Sequence, residues 1–195
     1  MILNLPFILE TRRNHALEHA TIHILAARYP DRHFAGHSNP TGFFLLGNVA
    51  TDDVETAVTQ ALTRLRAGER ELAIHAGCGT NFASTALLAG TLAWLPLNGA
   101  RSWRKRFWLL PFAFAFGLLG YAISQPLGPW LQAHITTDAE MGDLRIASVV
   151  PVGHKGVTVH RVITMSPPAR CLAVQSLRQP KEAQLSELST EFLRS

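Results

Sequence analysis

The sequence is poor in charged side chains. Asp, Glu, Lys and Arg make up 16% of its 195 residues, whereas a soluble domain contains roughly 25%. The deficit is local, because no charged residue occurs from Asn81 to Leu97 or from Phe107 to Gln125. Each run approaches the ~17–25 apolar residues that cross a bilayer as a helix. We therefore expect a two-helix transmembrane hairpin in an integral membrane protein. The alternative is a pair of buried helices in a soluble core.

Cysteine is scarce, and a secretory signal is lacking. The two cysteines, Cys78 and Cys171, do not form a disulfide framework. The start, MILNLPFILETRR, has its apolar run before its charges and no small-residue cleavage site. Both features favour a functional site that faces the cytoplasm. Basic residues do not decide the orientation, because four lie in the linker at 101–106 and four lie near the other ends of the two runs.

Strong net charge is also absent. The formal value of +4 is too weak and dispersed to indicate a nucleic-acid partner. The basic linker between the two apolar runs is better suited to lipid headgroups, so we expect the bilayer itself as a partner and no nucleic acid.

The remaining segments predict an α+β fold. We expect a metal-binding α+β domain over residues 1–79, the hairpin over 80–125, and strands and a helix over 126–195 that complete the α+β domain. Helices are predicted at 12–29, 51–66 and 181–193. Strands are predicted at 33–37, 43–46, 71–75, 144–150 and 157–165, with a further short one at 172–177.

The first predicted helix carries an H-x-x-E-H sequence. His15 and His19 are four residues apart and share a helix face, so both imidazoles can reach one metal ion. Glu18 lies near that face and could activate a water without being a ligand. His23 continues the same stripe. The alternative is that the histidines form a polar stripe at the membrane surface.

A catalytic zinc site needs a third protein ligand and an open position. Cys78 is the best candidate, because it lies in a glycine-flanked turn where a thiolate can approach an ion. Two histidines and a thiolate suit Zn²⁺, with Fe²⁺ as the alternative metal. His75 and Glu71 are rival third ligands, and Cys78 could also be an ordinary small buried residue.

The order of motifs resembles a known family. HALEHATIHIL, SNPTGFFLLG, a Thr-Asp-Asp helix and ELAIHAGCGT follow the order found in the S-ribosylhomocysteine lyases. The likeness covers about residues 12–80, and the pitrilysin-like metallopeptidases share the fold and the inverted zincin helix. RRNHALEHATIH also resembles an uncharacterised family of bacterial membrane proteins, which implies the bacterial inner membrane as the location.

The resemblance implies His15, His19 and Cys78 as metal ligands, Glu18 as general acid/base, and a homodimer. Asn39 stands where the lyases have a catalytic cysteine, and Asn cannot shuttle a proton at neutral pH. We therefore expect a membrane-anchored metal-dependent hydrolase, similar to zinc metallopeptidases. The alternatives are a metal-dependent lyase or isomerase on a sugar-like substrate and a non-catalytic metal-binding subunit of a membrane complex.

Overall fold

The computed structural model describes residues 2–153 and 158–166. This part of the chain has an α+β fold with four α-helices and a four-stranded antiparallel sheet. The helices are α1 (Pro6–Arg28), α2 (Thr51–Arg66), α3 (Gly79–Trp94) and α4 (Trp103–Leu131). The strands are β1 (Ala35–Asn39), β2 (Gly42–Leu46), β3 (Arg145–Pro151) and β4 (Val159–Met165). The helix and strand predicted at 181–193 and 172–177 lie outside the described residues.

Helix α1 begins at Pro6, six residues earlier than predicted. Proline favours the first position of a helix, since its missing N–H would have no partner there and its φ angle is already helical. Asn14 is buried inside the helix, where its amide donates to the Asn39 carbonyl and accepts from the Thr164 hydroxyl. These bonds fasten α1 to the ends of two strands.

The sheet has the order β1-β2-β4-β3. A tight turn joins β1 to β2 and ends at Gly42, whose φ is +130° and whose missing Cβ would collide with the Val162 carbonyl. Glycine is required there because other residues rarely adopt a positive φ. The strands predicted at 144–150 and 157–165 correspond to β3 and β4, and they belong to the same sheet as β1 and β2.

Helices α1 and α2 pack beside each other and against the sheet. In α2 the buried side chains recur every three or four residues, as a helix with one apolar face requires. Phe43 and Leu45 of β2 point into the same layer and are fully buried. This core fixes α1, which carries the H-x-x-E-H residues, against the rest of the fold.

The strand predicted at 71–75 is wrong. Residues Arg70–Ala73 form a short 3₁₀ turn. The carbonyls of Ala73 and Ile74 bond to the rings of His19 and His23 rather than to a neighbouring strand. The segment is thus held by α1 side chains, which strand patterning does not consider.

Helices α3 and α4 pack against each other in antiparallel directions. Asn81 lies beside Gly128, Thr85 bonds to Ser124 at 2.8 Å, and Gly120 faces the α3 backbone near residue 88. The contacts therefore run in opposite sequence directions along the two helices.

One helix of the described chain, Trp103–Thr136, is long and apolar enough to cross a membrane. Such a helix is weak evidence by itself, because a soluble core helix can have the same length and composition. Helix α3 has 16 residues, fewer than a full crossing requires. The predicted two-helix hairpin is thus supported for one helix only.

Candidate metal centre

The two histidines of α1 are oriented by main-chain carbonyls. His15 Nδ1 lies 2.9 Å from the Thr136 carbonyl oxygen and His19 Nδ1 lies 2.7 Å from that of Ala73. When each Nδ1–H donates, Nε2 of the neutral ring has a lone pair for a metal ion, and Nε2–H of the charged ring can donate to a neighbouring acceptor. Hydrogen bonds of this kind fix the tautomer and ring orientation of metal-binding histidines. The ring centroids of His15 and His19 are 4.3 Å apart.

Cys78 is the residue that caps α3, and it completes the group. Its Sγ accepts from the Thr80 backbone N–H and lies 3.5 Å from His15 Nε2. One ligand atom each from His15, His19 and Cys78 lies within 4.8 Å of the other two. This His/His/Cys group could hold a metal ion. Within the described ranges no further His, Cys, Asp or Glu joins the set.

The sulfur of Cys78 is surrounded by hydrogen-bond donors. Burial raises the pKa of the thiol, but hydrogen bonds from His15, His19 and Thr80 outweigh burial and lower that pKa to about 5. Burial also opposes the charged form of His15, yet its bonds to Cys78 and Thr136 raise the His15 pKa. The sulfur is therefore a thiolate at neutral pH, which is the form that binds metals.

Glu18 lies beside the three ligands and is nearly inaccessible, with 4% of its surface exposed. Burial raises the pKa of its carboxyl, and a hydrogen bond from the Ser38 hydroxyl opposes that rise. Gly36 packs directly on the carboxyl, so that a Cβ at this position would collide with it. Strand β1 thus supplies both the bond and the space that fix the Glu18 carboxylate.

A cavity of about 350 Å³ opens over these four side chains. Strand β1, helix α1 and the turn before α3 form its walls. The lining residues outside the His/Glu/His/Cys cluster are Thr11, Ile22, Phe34, Ala35, Gly36, His37, Ser38, His75, Gly77, Gly79 and Thr80. The ligand group is therefore open to a molecule from outside rather than sealed in the core.

The structure places the two rival third ligands, His75 and Glu71, in different depressions. His75 lines the cavity, and its ring centroid lies 5.6 Å from that of His19. Burial and the neighbouring His19 and His23 lower the His75 pKa. Glu71 is exposed and lines a different depression.

Asn39, at the position of the lyase cysteine, does not line the cavity. Its side-chain oxygen accepts hydrogen bonds from Thr41 and Arg161. It serves the β1–β2 turn, not the candidate metal centre.

Sequence reasoning missed the supporting residues from α4 and the turn that follows it. A π-helical turn, Gln132–Thr136, continues α4 and presents the Thr136 carbonyl to His15. Gln132 is fully buried and bonds to the main chain of His75. A glutamine at the end of an apolar helix is the only sequence signal of this role. Ser38 gave none.

Fold and site together define an α+β protein with a possible His/His/Cys metal-binding group and one helix of membrane-spanning length. Residues 10–149 match the model of a family described as "Domain of unknown function (DUF6391)". The chain belongs to this family.

A relative of the chain is an uncharacterized protein of Picosynechococcus sp. (strain ATCC 27264 / PCC 7002 / PR-6). The two are 42% identical over 147 residues, which cover 67% of each chain. No solved structure matches the sequence.

Proposed function

We propose that this protein is a membrane-anchored metal-dependent hydrolase that uses zinc, with iron as the alternative metal. His15, His19 and Cys78 hold the ion, and Glu18 is the general base. The observation that carries the proposal is the placement of a buried carboxylate beside a three-ligand group at the floor of an open cavity. Three protein ligands and a free position are typical of catalytic rather than structural zinc.

The chemistry assigned to each group follows from its surroundings. A Zn²⁺ held by His15, His19 and Cys78 would supply Lewis acidity to the cavity. Glu18 would be the group that accepts a proton from the attacking water and returns it to the leaving group. Burial raises the pKa of the Glu18 carboxyl, which makes the carboxylate a stronger proton acceptor than an exposed one. Ser38 holds the carboxylate in place.

Membrane anchoring is supported by where the apolar side chains lie. Only 17% of the most apolar stretch of α4 is buried. Leu87 of α3 is 69% exposed, and Phe114 of α4 is 69% exposed. A soluble core helix would bury such side chains, so we assign this surface to lipid.

The ends of the helix pair fit a bilayer as well. Trp94, Trp103 and Trp108 are exposed near the linker, and Trp130 is exposed near the metal centre. Tryptophan favours the two membrane–water interfaces. We propose that the metal centre lies at the bilayer surface, on the cytoplasmic side because a thiolate ligand favours a reducing compartment.

Two alternative functions compete with the hydrolase. The lyase or isomerase reading is disfavoured by Asn39, whose side chain is occupied in the β1–β2 turn. The non-catalytic alternative depends on His75, which lines the same cavity and whose ring centroid lies 5.6 Å from that of His19. Four protein ligands, measured by X-ray absorption on the zinc-loaded protein, would support a structural role.

Metal content tests the proposal first. We expect about one zinc or iron per purified chain, from the single three-ligand group, and its loss in Cys78→Ser and His19→Ala. His75→Ala is the matched control, because this histidine lines the same cavity outside the ligand group and should keep the metal. Circular dichroism verifies that each variant is folded. Absence of metal from the wild-type protein after reducing reconstitution would overturn the proposal.

Glu18→Gln separates catalysis from metal binding. This variant should retain the metal and lose at least about 100-fold of any hydrolysis of a fluorogenic peptide or ester library, the usual scale for a general base. Equal activity in Glu18→Gln and wild-type protein would reject Glu18 as the base. It would also remove the argument for a hydrolase.

We also propose a homodimer, from the resemblance to the lyases alone. Light scattering of the protein in detergent, corrected for detergent mass, should give two chains of 21.4 kDa per particle. A single chain per particle would reject the dimer.

A further inference from the structure

Gln132 is the first residue of the π-helical turn after α4, and no part of it is exposed. Its Oε1 accepts the His75 backbone N–H at 2.8 Å. Its Nε2 donates to the His75 carbonyl at 3.1 Å and to the Asn81 side-chain oxygen at 2.7 Å. The buried amide is therefore satisfied by residues on both sides of Cys78, His75 before it and Asn81 after it.

Asn81 extends the same network from the first turn of α3. Its Nδ2 donates to the carbonyls of His75 and Ala76, at 3.3 Å and 2.9 Å. The Cys78 backbone N–H also donates to the His75 carbonyl, at 3.2 Å. One carbonyl thus receives three N–H groups, and the position of Cys78 is defined relative to both α3 and α4.

The turn needs this support because its own sequence is flexible. Glycines lie on both sides of Cys78, at 77 and 79, and glycine loses more conformational freedom on ordering than any other residue. Gly79 has open space where its side chain would be. Few contacts of its own therefore hold the turn, while a buried side-chain amide that lost its partners would be costly.

We propose that Gln132 is a positioning residue that holds the His75–Cys78 turn so that the sulfur meets His15 and His19. The inference rests on the proposed metal centre and adds that α4 sets its geometry. Outer residues that orient metal ligands change metal affinity by ~10–100-fold when they are substituted.

The test compares Gln132→Met with Ser124→Ala, both in a Cys171→Ser background in which Cys78 is the sole thiol. Methionine keeps the length of Gln132 and removes its side-chain hydrogen bonds. Ser124 is the matched control, because it forms a buried bond with Thr85 in the same helix pair away from the turn.

Two readouts are measured on the full chain in detergent. Chelator competition gives the Co²⁺ affinity, and the thiolate-to-Co²⁺ charge-transfer band shows whether sulfur binds the ion. The second readout is the rate at which metal-free protein reacts with an aromatic disulfide reagent. We expect Gln132→Met to weaken Co²⁺ binding ~10–100-fold with a reduced charge-transfer band, and to expose Cys78 to faster modification. Ser124→Ala should change neither readout by more than about 3-fold.

Equal effects of the two substitutions on both readouts would overturn the inference. If Gln132→Met does not fold, Asn81→Ala removes the other half of the network and should act in the same direction. If wild-type protein binds no Co²⁺, the proposed function fails by itself. The thiol reactivity of the metal-free variants then still decides whether Gln132 positions the turn.

Discussion

The two regions of the molecule place their polar and apolar groups in opposite ways. In the sheet and its two helices, apolar side chains such as Leu17 and Phe43 are fully buried. In the pair formed by α3 and α4, large apolar side chains face outward, while Ser84 and Ser124 are buried. The first arrangement suits water and the second suits lipid, where polar groups must find partners inside the protein.

The difference explains why the candidate site lies where the regions meet. Hydrogen-bonding groups are available on the inner face of the helix pair and at the ends of its helices. Thr136 and Gln132 direct such groups toward α1 and the turn before α3. The sheet and its two helices supply the two histidines, and the helix pair supplies Cys78 and its supports.

The largest effect is expected at this junction, for the thiol of Cys78. We expect metal-free protein to keep the thiolate down to about pH 5, whereas the ordinary thiol pKa of 9.0 implies a roughly 10,000-fold weaker acid. Ultraviolet thiolate absorbance, corrected with Cys78→Ser, measures the titration. His15→Ala should move the midpoint upward, and an unchanged midpoint would show that His15 does not stabilise the thiolate.

The lowered pKa of Cys78 also makes the free energy of unfolding depend on pH. Because the folded-state pKa lies below the unfolded one, the contribution of this thiol to folding is complete above about pH 9. It declines as the pH falls and is lost through about pH 5. Urea unfolding of metal-free protein at several pH values, beside Cys78→Ser, isolates this contribution.

A pair of phenylalanines tests the two regions with one kind of substitution. Phe43→Ala removes a fully buried side chain and should cost about 3–5 kcal/mol. Phe114→Ala removes a side chain that is 69% exposed. If lipid surrounds this side chain before and after unfolding, the substitution should change stability by less than about 0.5 kcal/mol in bilayer discs. Equal costs would mean that another protein surface covers α4.

The fold was largely predictable from the sequence because its signals are local. The spacing in α2 gave its bounds, and the strands at 43–46 and 144–150 were found from short apolar runs next to turn residues. The α4 apolar run was also evident, although its helix continues past Gln125 to Leu131. Local patterns failed at 70–73, where contacts with α1 histidines determine the conformation.

The candidate ligands were predictable for a different reason. His15 and His19 are neighbours through helix geometry alone, whereas Cys78 is brought to them by tertiary structure. For Cys78, the glycine-flanked turn and the family resemblance indicated that the sulfur lies close to the two histidines. Nothing comparable marks Gln132 or Ser38, because their partners are main-chain atoms or side chains distant in sequence.

A charge introduced on the outer face of α4 tests whether this face meets lipid. Leu118 is 52% exposed, and Leu118→Asp should disfavour membrane insertion by about 2.5–3.5 kcal/mol if this face meets lipid. Val152→Asp is the control, at an exposed apolar position beside the sheet, with an expected cost below about 0.5 kcal/mol. Membrane fractionation and in vitro insertion measure the difference. Equal tolerance of both substitutions would place α4 in water.

The smallest effect concerns how closely α3 and α4 approach each other. A Cβ on Gly120 would lie 2.6 Å from the Leu88 carbonyl oxygen and 2.8 Å from the Ala89 Cα, so Gly120→Ala must push the helices apart. We expect it to cost about 1–3 kcal/mol. Gly90→Ala is the control, because Gly90 lies in α3 with open space beside it and should be neutral or slightly stabilising. Unfolding in mixed micelles compares the two variants.

If Gly120→Ala also loosens Co²⁺ binding, strain at the centre of the helix pair reaches the turn that carries Cys78. If affinity is unchanged, the network of Gln132 and Asn81 isolates the metal centre from that strain.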